Sequence, residues 1–343
     1  MLHWKKVAMS TSLGAMLFTL TACGGESSTA PNTADPAQKA ETVRVTEVIR
    51  SIFYAPQYVA IEKGYFRDEG LDVKLDTAWG GDKAATRVLA GQDEVALVGA
   101  ETTIFVQQQG SPDALVSFAQ CTQRDGSFLV ARQNVTNFDW SMLKGKSLLG
   151  SRAGSMPEMV SEYVQKQHGI KPLTDNEIIQ NIAFDNQAAA FASGTGDFFQ
   201  AFEPAASLLE KQGQGRVVAS FGQDGGKLPY TVFMAKDSYL KSHPQTAQKF
   251  TNAVQKAQTY LHTASPEEAA TVIKPYFTDV DQDILVNVIK RYQQSDSWPT
   301  DTLIDQQEFD NMKKIMKDAG QLQQDVPYEK VVQPSFAEKA KQN

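Results

Sequence analysis

From residue 43 onward, short β-branched and aromatic runs alternate with stretches of helical period, the pattern of parallel α/β sheets. The first unit predicts a strand over 43–49, a polar-aromatic loop from Arg50 to Tyr54, a helix over 56–63 and a strand over 71–75. Pro56 has no amide hydrogen to leave unpaired in a first turn, and Gly64 suits the left-handed residue that stops a helix. Further strands are predicted at 95–98 and 115–119, with helices over 82–90 and up to Gln109. The runs 128–132 and 232–236 share a character, each ending in Ala plus a cation. They read either as ordinary core strands or as two crossings between lobes, hence a hinge. Between them lies a block with its own rhythm: strands 147–149, 178–182, 198–202 and 217–220, helices 157–167 and 186–192, and a glycine-rich turn at 222–226. The rest reads as helices (245–262, 267–273, 282–292 and 305–319), expected to pack back on the first lobe.

The stretch before residue 43 has a different pattern. Lys5 and Lys6 precede an apolar run over 7–20, too short for a spanning helix and flanked as a signal peptide is. The run ends in Leu20-Thr21-Ala22-Cys23-Gly24, similar to the lipobox of bacterial lipoproteins, in which the cysteine thiol carries the lipid. Residues 24–41 are low in apolar side chains and read as a tether, because they bury too little surface to offset ordering entropy. The predicted division is a signal peptide over 1–22 and a flexible tether over 23–42. A first lobe follows over 43–131 and 235–330, C-terminal helices included, with a second lobe over 132–234. A body of about 300 residues suits two α/β lobes better than one.

Composition narrows the function. With Cys23 lipidated, Cys121 has no partner, so neither an internal disulfide nor a cysteine metal site is expected. A chain starting at Cys23 has 31 basic residues (33 less Lys5 and Lys6) against 40 acidic, a formal −9. That balance argues against nucleic acid and against a basic membrane-binding surface. The lipid would hold the protein to the membrane.

Several short motifs carry a resemblance: Tyr54-Ala55-Pro56, Glu62-Lys63-Gly64-Tyr65-Phe66, Glu69-Gly70-Leu71-Asp72-Val73, Leu89-Ala90-Gly91, Leu143-Lys144-Gly145-Lys146 and Glu203-Pro204. Over residues 43–320 the chain resembles the periplasmic solute-binding proteins of ABC importers, in the branch handling sulfonates, nitrate and thiamine-pyrimidine precursors. The resemblance implies an α/β, two-lobed, type II-like periplasmic-binding-protein fold with a ligand cleft between lobes. It implies a monomer outside the cytoplasm that presents a captured small molecule to permease and ATPase subunits. Most of the motifs are helix stops and packing turns, so they do not name the solute.

Loops at strand carboxyl ends are where α/β proteins hold ligands. These give Ser51, Phe53, Tyr54, Trp79, Glu101, Thr102 and Gln123 in the first lobe. In the second they give Arg152, Gly154, Ser155, Phe184, Glu203 and Tyr230. Each has a plainer reading. Ser51 also serves as a turn residue, Glu101 and Glu203 as acids at helix starts, Gly154-Ser155 as a cap and the aromatics as core. Gly154-Ser155 before Pro157, with Arg152 alongside, would cradle an anion. The acids and aromatic loops would suit a neutral or aminated heterocycle, and the sequence leans to the latter. A solute sensor has the same ligand lobes. An enzyme is the remaining class, since fungal relatives of the fold make thiamine pyrimidine. The histidines at 3, 168, 243 and 262 fall outside the cleft loops, and no phosphate loop, metal-ligand cluster or nucleophile elbow is visible, so no cofactor is expected.

Overall fold

The computed structural model describes residues 40–342, and the predicted signal peptide, Cys23 and nearly all of the tether lie outside them. In chain order, the first sheet region holds β1 (Glu41–Glu47), α1 (Ala55–Glu62), α2 (Tyr65–Asp68), β2 (Leu71–Thr77), α3 (Gly81–Leu89), β3 (Val95–Gly99), α4 (Glu101–Gln108) and β4 (Leu115–Thr122). The second holds β5 (Phe128–Ala131), β6 (Ser147–Leu149), α5 (Met156–Gln167), β7 (Glu177–Ile179), α6 (Phe184–Ala192), β8 (Phe198–Ala201), α7 (Ala205–Lys211), β9 (Arg216–Ser220) and α8 (Phe221–Gly225). The chain then returns through β10 (Thr231–Lys236). Helices α9 (Asp237–Ser242), α10 (Pro244–Thr263), α11 (Pro266–Ile273), α12 (Gln282–Gln294) and α13 (Gln306–Asp318) follow. Two short helices close the chain, α14 (Tyr328–Val331) and α15 (Ser335–Ala340).

Two five-stranded sheets form, ordered β2-β1-β3-β10-β4 and β7-β6-β8-β5-β9. In each, three parallel strands are followed by one antiparallel strand, β10 or β5. This is the two-lobed α/β architecture that the resemblance implies. The lobe boundaries differ from expectation. The 128–131 strand, expected to close the first lobe, pairs in the second sheet, and the 231–236 strand, placed mainly in the second lobe, pairs in the first. A strand that follows a crossing pairs with the sheet it enters, so the chain crosses over 123–127 and returns over 226–230.

Other differences are local. Strand β1 starts at Glu41, inside the expected tether, because Glu41 and Thr42 continue the ladder with Leu71 and Asp72. The expected glycine-rich turn contains α8, capped by the Ser220 hydroxyl, which accepts from the Gln223 amide. Helix α10 buries Ala247, Phe250, Val254, Ala257 and Leu261 as the pattern predicts. Not all late helices stay on the first lobe: α12 packs on α7 and α13 on α5. All eight residues of the edge strand β4 are buried, because α10, α14 and α15 cover it and Val332 bridges to Ser117. Among the described residues no helix is long and apolar enough to cross a membrane.

Candidate functional site

The loop after β1 is held from beneath by Glu47, which is fully buried at the strand's end. Its carboxylate accepts from Tyr58 Oη (2.6 Å), Gln57 Nε2 (2.9 Å), Thr77 Oγ1 (3.0 Å) and Arg50 Nε (2.7 Å). Burial pushes the Glu47 carboxyl up, while these bonds pull it back. Arg50 is thereby spent on the protein itself. Ser51, also buried, caps a single 3-10 turn by accepting from the Phe53 amide, and its own amide donates to Tyr58 Oη.

That turn delivers Phe53 to the space between the lobes. Its ring centroid lies 5.7 Å from Tyr230, 6.1 Å from Tyr54, 5.2 Å from Tyr292 and 6.3 Å from Phe202. Phe202 in turn lies 5.9 Å from Phe184, which is 49% exposed at the start of α6. A continuous aromatic row thus runs from the second lobe's rim to the buried corner of the first. The Phe53 carbonyl accepts from Trp298 Nε1 at 2.9 Å, so this late-loop tryptophan is a packed support. A Cβ at Gly126 would meet the Phe53 ring at 2.7 Å, so the crossing has room for glycine only.

Three buried polar atoms beside this row have no hydrogen-bond partner: Glu101 Oε2, Asp125 Oδ2 and Tyr230 Oη. Glu101 opens α4 and folds back over Gly99, where a Cβ would collide with its carboxylate. Burial raises its carboxyl to about 7, against the pull of its own amide and that of Met156 across the cleft. Asp125 is raised to about 6 by burial, although Oδ1 takes the Ser127 hydroxyl and amide. The Tyr230 hydroxyl is pushed well up by burial, then by the charge of the Asp125 carboxylate and by its own interaction with that carboxylate, with the Glu101 charge adding to the shift. Ser127 Oγ accepts from Gln200 Nε2 (3.0 Å), which also donates to the Pro157 carbonyl (2.8 Å), tying Asp125 to the first turn of α5.

The remaining expected residues are placed differently. Gln123 is consumed: its amide nitrogen donates to Asp296 and the Trp298 carbonyl, and its oxygen accepts from Lys227. Glu203 is buried and also consumed, by Arg291 and by the hydroxyl and amide of Ser207. Arg291 additionally holds Glu210, and Arg124 holds Asp296 and the Gly222 carbonyl. Arg152 stands exposed, 3.9 Å from Asp82 on the facing lobe. Gly154, at φ +79°, donates its amide to Glu158, and Ser155 donates its hydroxyl to the Arg152 carbonyl, so the expected anion cradle is partly occupied. Trp79 is 65% exposed at the rim, in a left-handed backbone (φ 59°) that bulky residues rarely adopt. Thr102 is half-buried in the first turn of α4. Sequence reasoning passed over Asp125 because Asp-Gly reads as a turn. It passed over Tyr292 because the ring looks like one more apolar position of α12. Grooves of about 370 Å³ between α7 and α12, and about 600 Å³ around 145–147 and 173–178, lie away from this aromatic row.

Comparison with known proteins agrees with this architecture. Residues 52–269 match the family described as NMT1/THI5 like. The Bacillus subtilis (strain 168) protein YtlA, which carries only a provisional binding-protein name, is 48% identical over 324 residues, 94% of each chain. A Saccharomyces cerevisiae 4-amino-5-hydroxymethyl-2-methylpyrimidine phosphate synthase, THI13, is 23% identical over 227 residues, 63% of this chain and 65% of the synthase. The periplasmic nitrate-binding protein NrtA of Synechocystis PCC 6803 superposes with a TM-score of 0.70 at 17% identity, over 89% of both chains. The fold is that of the two-lobed periplasmic binding proteins. Within it, this chain belongs to the NMT1/THI5-like family.

Proposed function

We propose that the protein is an extracytoplasmic solute-binding lipoprotein of an ABC importer, anchored through Cys23, that captures a nitrogenous aromatic solute between closing lobes. A thiamine-pyrimidine precursor is the type of molecule meant. The observation that carries this reading is the set of unpartnered acceptors, Glu101 Oε2 and Asp125 Oδ2, beside an aromatic row. Such acceptors need a donor, and a planar ring bearing amino groups supplies it while stacking on Phe53, Phe202 or Phe184. An anion such as a sulfonate or nitrate would instead need a free cation. Arg50, Arg124 and Arg291 each hold a carboxylate, with only Arg124 Nε left unpartnered among them, and an uncompensated buried acid beside an anion costs several kcal/mol.

Binding rather than catalysis fits the histidines. His168 stacks on Trp140, His243 on Tyr239, and His262 faces the Trp298 and Pro299 carbonyls, so among the described residues no histidine pairs with the aromatic row. The deciding experiment is a thermal-shift panel of aminopyrimidines, unsubstituted pyrimidine, taurine, alkanesulfonates and nitrate. Stabilisation by aminopyrimidines is expected. Stabilisation by the sulfonates or nitrate alone would overturn the solute class. For the anchor, Cys23→Ala should lose palmitate labelling and membrane retention, and a variant that keeps both would remove the lipoprotein reading.

A further inference from the structure

The two crossings between sheets run side by side. The Leu228 amide donates to the Gln123 carbonyl (3.0 Å) and the Tyr230 amide to the Thr122 carbonyl (3.1 Å). One residue pins both: the Asp296 carboxylate accepts from Gln123 Nε2 (2.8 Å) and Arg124 Nη2 (3.2 Å) on the first crossing and from Lys227 Nζ (3.0 Å) on the second. Backbone packing is equally tight, since a Cβ at Gly222 would collide with the Asp125 carbonyl. The buried polar side-chain atoms of these segments are satisfied with three exceptions: Arg124 Nε and Asp125 Oδ2 on the first crossing and Tyr230 Oη on the second. Asp125 and Tyr230 are 2% and 4% exposed and face each other, the hydroxyl interacting with the carboxylate, yet neither Oδ2 nor Oη has a hydrogen bond of good geometry.

A buried hydroxyl–carboxylate pair left with only each other, and without good geometry, has acceptor capacity to spare for a donor that arrives in the cleft. We infer that the hinge is itself part of the solute site: a donor on the captured molecule pairs with Asp125 Oδ2 and Tyr230 Oη together, stapling both crossings and selecting the closed lobe angle. This rests on the solute-binding reading above and adds to it that occupancy is sensed at the hinge, not only at the facing loops. Differential contact of this kind is what a ligand needs to shift an open–closed equilibrium. Asp125 and Tyr230 act here as positioning residues as well as contacts.

The test uses the full-length lipoprotein and whichever of 4-aminopyrimidine, pyrimidine, taurine or nitrate stabilises wild type most. Affinity is read by calorimetry, and closure by the change in radius of gyration in small-angle scattering at saturation. Asp125→Asn should weaken binding roughly tenfold to a hundredfold, and Tyr230→Phe roughly threefold to tenfold, the range for losing a charged or neutral hydrogen bond. Both should close less than wild type even when saturated. Phe184→Ala, at the rim, should bind more weakly yet close fully. Melting of the unliganded variants confirms that each is folded. Binding within twofold of wild type, or full closure at saturation in both hinge variants, would overturn the inference while leaving the cleft reading intact. Wild type that neither binds nor closes with any of the four probes would overturn both.

Discussion

Replacing Glu101 by Gln should stabilise the protein at alkaline pH while weakening its hold on a donor-bearing solute. The carboxyl is raised to about 7 from an ordinary 4.5, chiefly by burial. At ~1.4 kcal/mol per pH unit, that corresponds to roughly 3 kcal/mol against the ionised form. The pull of the first amide of α4, that of Glu101 itself, is already contained in this net shift. The folded protein holds this proton more tightly than the unfolded chain does. Stability from this group is therefore fully present below 4.5 and is lost as pH rises through about 7. Glutamine keeps the shape and remains neutral, so the variant should match wild type at pH 4.5 and exceed it at pH 8. The gain, roughly 3 kcal/mol, amounts to about 5 °C in melting temperature for a domain of this size. Urea unfolding of both proteins between pH 4.5 and 8.5 measures it. A gap that does not grow with pH, or a variant less stable at pH 8, would refute the claim that Glu101 is buried without a sufficient partner.

Other outcomes follow from the same geometry. Binding of a cationic ring near pH 6–7 should release protons from Glu101 and Asp125, seen as a calorimetric enthalpy that varies with the buffer's ionisation enthalpy; no buffer dependence would contradict the pairing. Arg291→Ala leaves the Glu203 charge buried without its partner and should cost about 3–5 kcal/mol in urea unfolding, whereas a loss under 1 kcal/mol would mean Ser207 alone suffices. Gly126→Ala forces a methyl against the Phe53 ring and should cost about 1–3 kcal/mol; an unchanged melting temperature would show that the corner gives way freely.

Much of the architecture was legible in local pattern, and the residues that were misread show why the rest was not. Helix α10 and the stops at Gly64 and Gly169 were readable because burial period and left-handed glycines are local properties. Sheet membership of 128–131 and 231–236 was not, because two strands of like character give no sign of which side of a crossing they pair on. Phe53, Tyr54, Tyr230 and Glu101 were named from loop position and do lie between the lobes, beside the aromatic row. Gln123 and Glu203 were named on the same grounds, yet their polar atoms are claimed by Asp296 and Arg291, residues more than eighty positions away. Whether a loop side chain is free or spent depends on such distant partners. Asp125 shows the converse, a turn-like residue made significant only by what fails to reach it.

The helices α12 and α13 have a consequence for how the chain can be divided. Each packs on the second lobe although it belongs, by sequence, to the segment after the return crossing. Tyr292 alone reaches the Gly126 carbonyl, the Glu203 amide, Phe53 and Phe128. Neither lobe can therefore be excised with its surface intact: the inserted one would expose the faces that α12 and α13 cover, and the remainder would lose what those helices rest on. Denaturation should accordingly run as one cooperative event with coincident fluorescence and circular-dichroism transitions, and a receptor built by swapping the inserted lobe into a relative would have to carry α12 and α13 with it.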